Sequence, residues 1–206
     1  MAYTATAVIA SLGEQLTDTD NDIWTGATLC EHVTEAQNLI VALRPDANAV
    51  TAETSLTLTV KQTIPSGGIR FIDIVMNTGG SPVQEIDRDK LTQLVPGWTS
   101  ETGTEIEFFM HDPENPKVFW VYPTLSGAGS VDLVYSKTPD IFTTSSTGLG
   151  ISDIHIAAIY EWVLYRCFAM ETKGIDLNMS SIHLNNFFNI MGIKKNNDIL
   201  FQQIKG

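Results

Sequence analysis

From Thr4 to Leu16, small and apolar residues recur at helical spacing, and Thr4 stands where an N-cap would stand. Asp18 to Asp22 is a polar turn. Asp22 is suited to capping, and after it Ile23, Ala27, Cys30, Val33, Ala36 or Gln37, and Ile40 repeat at intervals of three and four until Arg44-Pro45 ends the run. One stripe is apolar and the rest polar, which predicts a second helix that must pack against another.

Beyond Pro45 the period falls to two. Glu53 to Ile64 alternates Thr and Lys with Leu56, Leu58 and Val60, predicting one strand with those three on its buried face. Pro65-Ser66-Gly67-Gly68 turns it towards Ile69 to Asn77, and Thr78-Gly79-Gly80-Ser81 turns again into Pro82 to Asp87. Asp89 to Leu94 fits one short helical turn before Pro96-Gly97-Trp98. Further strand patterns run over Thr104 to His111, Lys117 to Tyr122 and Ser130 to Ser136, broken at Asp112 to Pro116 and at Gly127-Ala128-Gly129. Tight turns between successive strands predict antiparallel pairing, and helical crossovers have no room.

After Thr138-Pro139 and a Ser, Thr and Gly loop from Phe142 to Gly150, Ser152-Asp153 is placed to cap a third helix. Its apolar face would hold Ile154, Ala158, Trp162, Tyr165 and Phe168 or Ala169, with Lys173-Gly174 ending it. Leu177 to Met191 makes a fourth. The predicted fold is α+β: a four-helix bundle built from N- and C-terminal helix pairs, with an antiparallel β-rich domain inserted between helices 2 and 3. The corresponding segments are 1–45, 46–142 and 143–193, followed by an extended C-terminal tail, 194–206, in which Ile199, Leu200, Phe201 and Ile204 are spaced apolar residues.

Charge narrows the function classes. The 206 residues hold 24 acidic against 12 basic side chains, a formal net charge of -12. Gripping nucleic acid requires Lys and Arg to replace counterions on phosphates, so such a surface repels DNA. In the first sixty residues Glu14, Asp18, Asp20, Asp22, Glu31, Glu35, Asp46 and Glu53 face the single Arg44. Cys30 and Cys167, both in helical segments, point to two reduced, buried thiols and not to a disulfide scaffold. The opening residues lack the basic start of a secretory signal, and no apolar run is long enough for a membrane span, so a soluble protein made in a cytoplasm is expected.

No chemical motif is complete. His32 and Glu35 lie one helical turn apart and His183 lies in the fourth helix, but the paired ligands of HExxH and a CxxC are missing, so no metal and no cofactor are expected. Glu105 and Glu107 alternate with Ile106 and Phe108; side by side they resemble an acid–base pair of a glycan hydrolase, and equally the solvated face of a strand. Asp87-Arg88-Asp89 suits a locked turn. Ser126-Gly127-Ala128-Gly129-Ser130 lacks the lysine of a phosphate loop and precedes a strand, where a phosphate cradle precedes a helix. Trp98, Phe108, Phe109, Phe119, Trp120 and Tyr122 read as sheet core, because few basic residues accompany them.

Several segments, taken in order, resemble the adaptor proteins of short-tailed bacteriophages, the head-to-tail connectors of the tail tubular protein A class. They are Ile86 to Leu91, Pro96-Gly97-Trp98, Asp112-Pro113, Phe119 to Pro123, Val131 to Pro139, and the helix Ile159 to Phe168. The resemblance covers most of residues 1–195. It implies a non-enzymatic virion protein at the neck, made in the host cytoplasm, forming a ring of about twelve copies between portal and tail nozzle and lining the channel for DNA ejection.

The implied partners are the portal protein, the nozzle or tail tubular protein, further copies of the chain and, as an additional candidate, a tail fibre. Terminal helices would pack ring neighbours and meet the portal, with Ile199, Leu200, Phe201 and Ile204 as docking anchors. Another virion neck or tail protein, such as a fibre adaptor or head completion factor, is the alternative. A glycan hydrolase using Glu105 or Glu107 is a minor one.

Overall fold

The computed structural model describes residues 3–112, 114–170 and 176–192. The chain divides into two compact units, a helical one formed by Met1–Leu43 with Pro139–Gly206 and a β-rich one formed by Arg44–Thr138.

In the helical unit, α1 (Ala5–Leu16) begins as its sequence implies, with the Thr4 hydroxyl accepting from the Ala7 N–H at 3.3 Å. It ends where Thr17 turns left-handed at φ 57° and donates back to Gly13 and Glu14. The second helix, α2 (Gly26–Leu43), starts later than Asp22. Asp18 decides this. Its buried carboxylate gathers the backbone N–H groups of Asp22 (3.1 Å), Ile23 (3.1 Å) and Trp24 (2.8 Å), holding them in a loop, and Thr25 instead receives the Thr28 N–H at 3.2 Å. A carboxylate taking three backbone donors out of water is a stronger local constraint than the capping preference of Asp22.

A 3₁₀ turn, Asp153–His155, precedes a long helix, Ile156–Ala169, and Ser152 makes no side-chain cap. Ile154 is 80 % exposed instead of buried, because the tighter turn takes it off the stripe that an unbroken α-helix would present. The buried residues of the long helix are Ala158, Ile159, Val163, Leu164 and Cys167, while Trp162, Tyr165 and Phe168 are half-buried. The last helix, Leu177–Ile190, is capped by Asp176, whose carboxylate accepts from Asn178 and Met179. The long helix packs on α1, α2 and the last helix. Trp162 meets the fully buried Phe187 at 5.3 Å, and Phe168 stacks on His183 at 5.4 Å. A strap, residues 139–150, is clipped to α2: Thr34 Oγ1 donates to the carbonyls of Cys30 and Phe142 and accepts the Phe142 N–H at 3.0 Å.

The β-rich unit contains β1 (Ala49–Ser55), β2 (Lys61–Thr63), β3 (Gly68–Asn77), β4 (Gln84–Glu85), α3 (Arg88–Leu94), β5 (Thr102–Gly103), β6 (Phe108–His111), β7 (Val118–Tyr122), β8 (Thr124–Leu125) and β9 (Ser130–Lys137). In chain order the long helix and the last helix are therefore α4 and α5. Three sheets run β1-β9-β3, β2-β7-β6-β4 and β5-β8. The principal pairs are antiparallel, but β4/β6 and β5/β8 are parallel, and the last strand sits between the first and third. Among the described residues, β6 and β7 are the one pair of paired strands that follow each other in sequence. Short turns thus did not dictate partners; burial of Leu133, Val131 and Tyr135 of β9 did, by drawing that strand to the centre.

Glu53 to Ile64 is broken rather than one strand. Leu56 is buried, Leu58 is 58 % exposed, and the chain bends between β1 and β2. The buried Gln62 holds the bend: its amide oxygen accepts from the Thr57 N–H and hydroxyl, and its NH₂ donates to the carbonyls of Thr57 and Thr59. Strand β3 buries Gly68, Phe71, Ile74 and Asn77, every third residue. Three register shifts against β9 account for that, each inserting an extra residue and turning the next side chain inward early. The main core joins Phe71, Phe109 and Phe119, with Phe71 stacked on Phe119 at 4.4 Å; a smaller one holds Leu91, Trp98 and Met110.

Candidate functional site

The residues that sequence reasoning offered for chemistry take separate structural jobs. Glu105 and Glu107 precede β6 and are both exposed. Glu105 accepts from the Ser81 hydroxyl and N–H, closing the turn after β3, whereas the Glu107 backbone pairs with Tyr122 and Gln84. Asp87 caps α3 by accepting from Asp89 (2.9 Å) and Lys90 (3.1 Å). Trp98, Phe109 and Phe119 are buried, with Phe108, Trp120 and Tyr122 half-buried around them.

The two histidines of the helical unit also divide. His183 on α5 places Nδ1 2.7 Å from Glu161 on α4, and Asn186 donates to the same carboxylate oxygen at 3.2 Å, so this polar set ties the two helices together. His32 on α2 is buried, with Nδ1 3.5 Å from Glu35, which Arg166 holds at 3.2 Å. Burial pushes its pKa below the ordinary 6.5; the Glu35 carboxylate opposes this and the Arg166 guanidinium adds to it. Among the described residues no three of His, Cys, Asp and Glu converge to hold a metal ion. Cys30 and Cys167 are free and buried, and burial raises both thiols, Cys167 to about 12, which keeps them protonated and poorly nucleophilic.

The exposed surfaces are the remaining candidates for function. Of the eight acids in the first sixty residues, Asp18 alone is buried; the other seven are exposed. Apolar side chains are exposed on α5 at Leu177 (67 %), Ile182 (50 %) and Ile190 (50 %), and on the strap at Ile141 (75 %). Beside the strap, a shallow, largely apolar groove of about 550 Å³ is lined by Ala27, Cys30, Glu31 and Phe142 among others. Sequence reasoning placed α5 but not this groove, because the Thr34 clip that holds Phe142 against α2 joins residues far apart in the chain. The tail anchors Ile199, Leu200, Phe201 and Ile204 lie outside the described residues.

Helices from both chain ends, a β-rich insertion, exposed acids along the first sixty residues and carboxylates engaged in turns and caps are the features the structure offers, and they suit a structural protein of an assembly. A family model for the SU10 adaptor protein matches residues 3–200, and the chain belongs to that family, the head-to-tail adaptor or connector proteins that join portal and tail components. No curated protein matches the chain.

Proposed function

We propose that this adaptor closes into a ring of about twelve copies in the virion neck, between the portal and the tail nozzle, and lines the passage for DNA during ejection. The observation that carries the reading is the family match over residues 3–200. The seven exposed acids of the first sixty residues support the channel role, since a wall that must let phosphates slide has to avoid binding them. The ring contact is heterologous, one face of each copy against a different face of the next, and the terminal helices supply it. The C-terminal tail docks on the portal through Ile199, Leu200, Phe201 and Ile204, whose spacing in a polar segment suits a chain that orders against a partner.

Cryo-electron microscopy of the intact neck tests the assignment: a closed ring of this chain between portal and nozzle is expected, and density for it elsewhere would overturn the reading. Deleting residues 195–206 is expected to leave the circular dichroism and melting of the chain unchanged and to abolish co-sedimentation with portal. Undiminished co-sedimentation would refute the docking role.

A further inference from the structure

Strand β1 is the open edge of its sheet. It lies outside β9 in the order β1-β9-β3 and pairs with it over its whole length, from Ala49 with Ser136 to Ser55 with Ser130, without a bulge. The register carries on to Leu56, whose N–H donates to the Gly129 carbonyl at 3.0 Å. Antiparallel ladders alternate, so Val50, Ala52 and Thr54 direct their backbone groups to β9, whereas Thr51, Glu53 and Ser55 turn theirs outward. Among the described residues no backbone hydrogen bond reaches those outward groups, and the side chains of the same three residues are exposed.

Glu53 is the one charge on this strand, and a charge on an edge controls which strands pair with it. Asp132 stands opposite it in the register; Glu53 accepts from the Ser130 hydroxyl at 2.7 Å and Asp132 from the Thr78 hydroxyl at 3.1 Å. Two adjacent carboxylates repel a strand of like charge and favour one that brings lysine. A second β1 is therefore a poor partner. Strand β3 already donates from Phe71 and Asn77 to Pro116 and Ser81, and β2 and β4 hold only three and two residues. The C-terminal tail has the complementary sequence. Lys194, Lys195 and Lys205 there outnumber the single acid Asp198, in a chain whose 24 acids face 12 bases. Between the lysines, residues 199–204 read Ile-Leu-Phe-Gln-Gln-Ile, uncharged and without Gly or Pro. Extended, they span about 20 Å, close to the length of β1.

We propose that residues 199–204 of one copy add as a strand to the open edge of β1 in the next. Charge brings the segment there, and main-chain hydrogen bonds to Thr51, Glu53 and Ser55 hold it. Charge also selects a second copy as the donor, because acidic copies repel through their other surfaces and the lysine-bearing tail is a segment by which one attracts the next. Tail and edge are different surfaces, so the contact is head-to-tail and propagates around a ring. Pairing engages the backbone of the tail and leaves its side chains for the portal. The inference rests on the ring reading above and adds a strand contact to it.

The test mixes full-length Ser55→Cys and Gln202→Cys chains, whose native thiols are buried, and assembles them with portal before a bismaleimide is added. Dimers are read on gels, and rings by electron microscopy of the same sample. Cross-linked dimers that require both chains are expected, together with slowed hydrogen exchange over residues 49–55 of the assembled wild type relative to the free chain. Rings without cross-links overturn the contact and leave the ring reading standing; cross-linked open filaments support the contact and overturn closure; neither product overturns the contact. Cross-links without slowed exchange overturn strand pairing. Added to the Ser55→Cys chain, Thr51→Pro removes an N–H that β9 does not use; it is expected to leave the circular dichroism spectrum unchanged and to lower dimer yield about tenfold or more. An unchanged yield would overturn the proposal.

Discussion

Asp18 is one acid with three backbone donors, and its loss leaves the N–H groups of Asp22, Ile23 and Trp24 without their acceptor where Trp24 is buried. Asp18→Ala is expected to destabilise the helical unit by about 2–4 kcal/mol, read from urea unfolding, with Asp18→Asn losing less because an amide oxygen still accepts. His32 gives a pH dependence of definite sign. The unfolded chain takes up a proton at the ordinary 6.5, whereas the buried imidazole resists protonation to lower pH. Its contribution is therefore complete above 6.5 and declines as pH falls below that, until the folded imidazole also charges. Melting temperature plotted against pH checks this: wild type falls more steeply than His32→Gln on the acid side of neutrality.

Helix α5 carries both buried and exposed apolar side chains. Phe187 is fully buried and packs on Trp162, so it anchors the helix, while Ile182 and Ile190 on the outer side are half-exposed and add little to folding. Phe187→Ala is expected to cost about 3–5 kcal/mol in chemical denaturation, and Ile190→Ser under about 1 kcal/mol. Strand β3 carries the opposite lesson. Its three bulges against β9 set a buried period of three, so its sequence alternation is a poor guide to which side chains enter the core.

At the scale of the molecule, a net charge of -12 sets copies repelling one another wherever their acidic faces approach. Repulsion between exposed charges is cut as salt shortens the Debye length, about 10 Å at ~0.1 M. Self-association is therefore expected to strengthen as salt rises, measured as a shift to larger species in sedimentation velocity. Gripping of DNA would give the reverse, since phosphate contacts weaken with salt. A chain whose association weakened with added salt would show that ion pairs, not main-chain and apolar contacts, hold copies together.

Local spacing alone determined the plan of helices at both ends around a β-rich middle, the cap at Thr4, the acid excess and the incompleteness of every catalytic motif. Each depends on residues within a few positions of one another, where periodicity and capping are physically set. Tertiary structure decided the rest. Asp18 claimed the donors that delayed α2, Gln62 bent the segment that alternation read as one strand, and β9 came between β1 and β3. The groove beside the strap exists because Thr34 bonds Phe142 across more than a hundred residues. Hydrogen-bond partners and burial between distant segments are chosen by what packs in three dimensions, and no local pattern carries that choice.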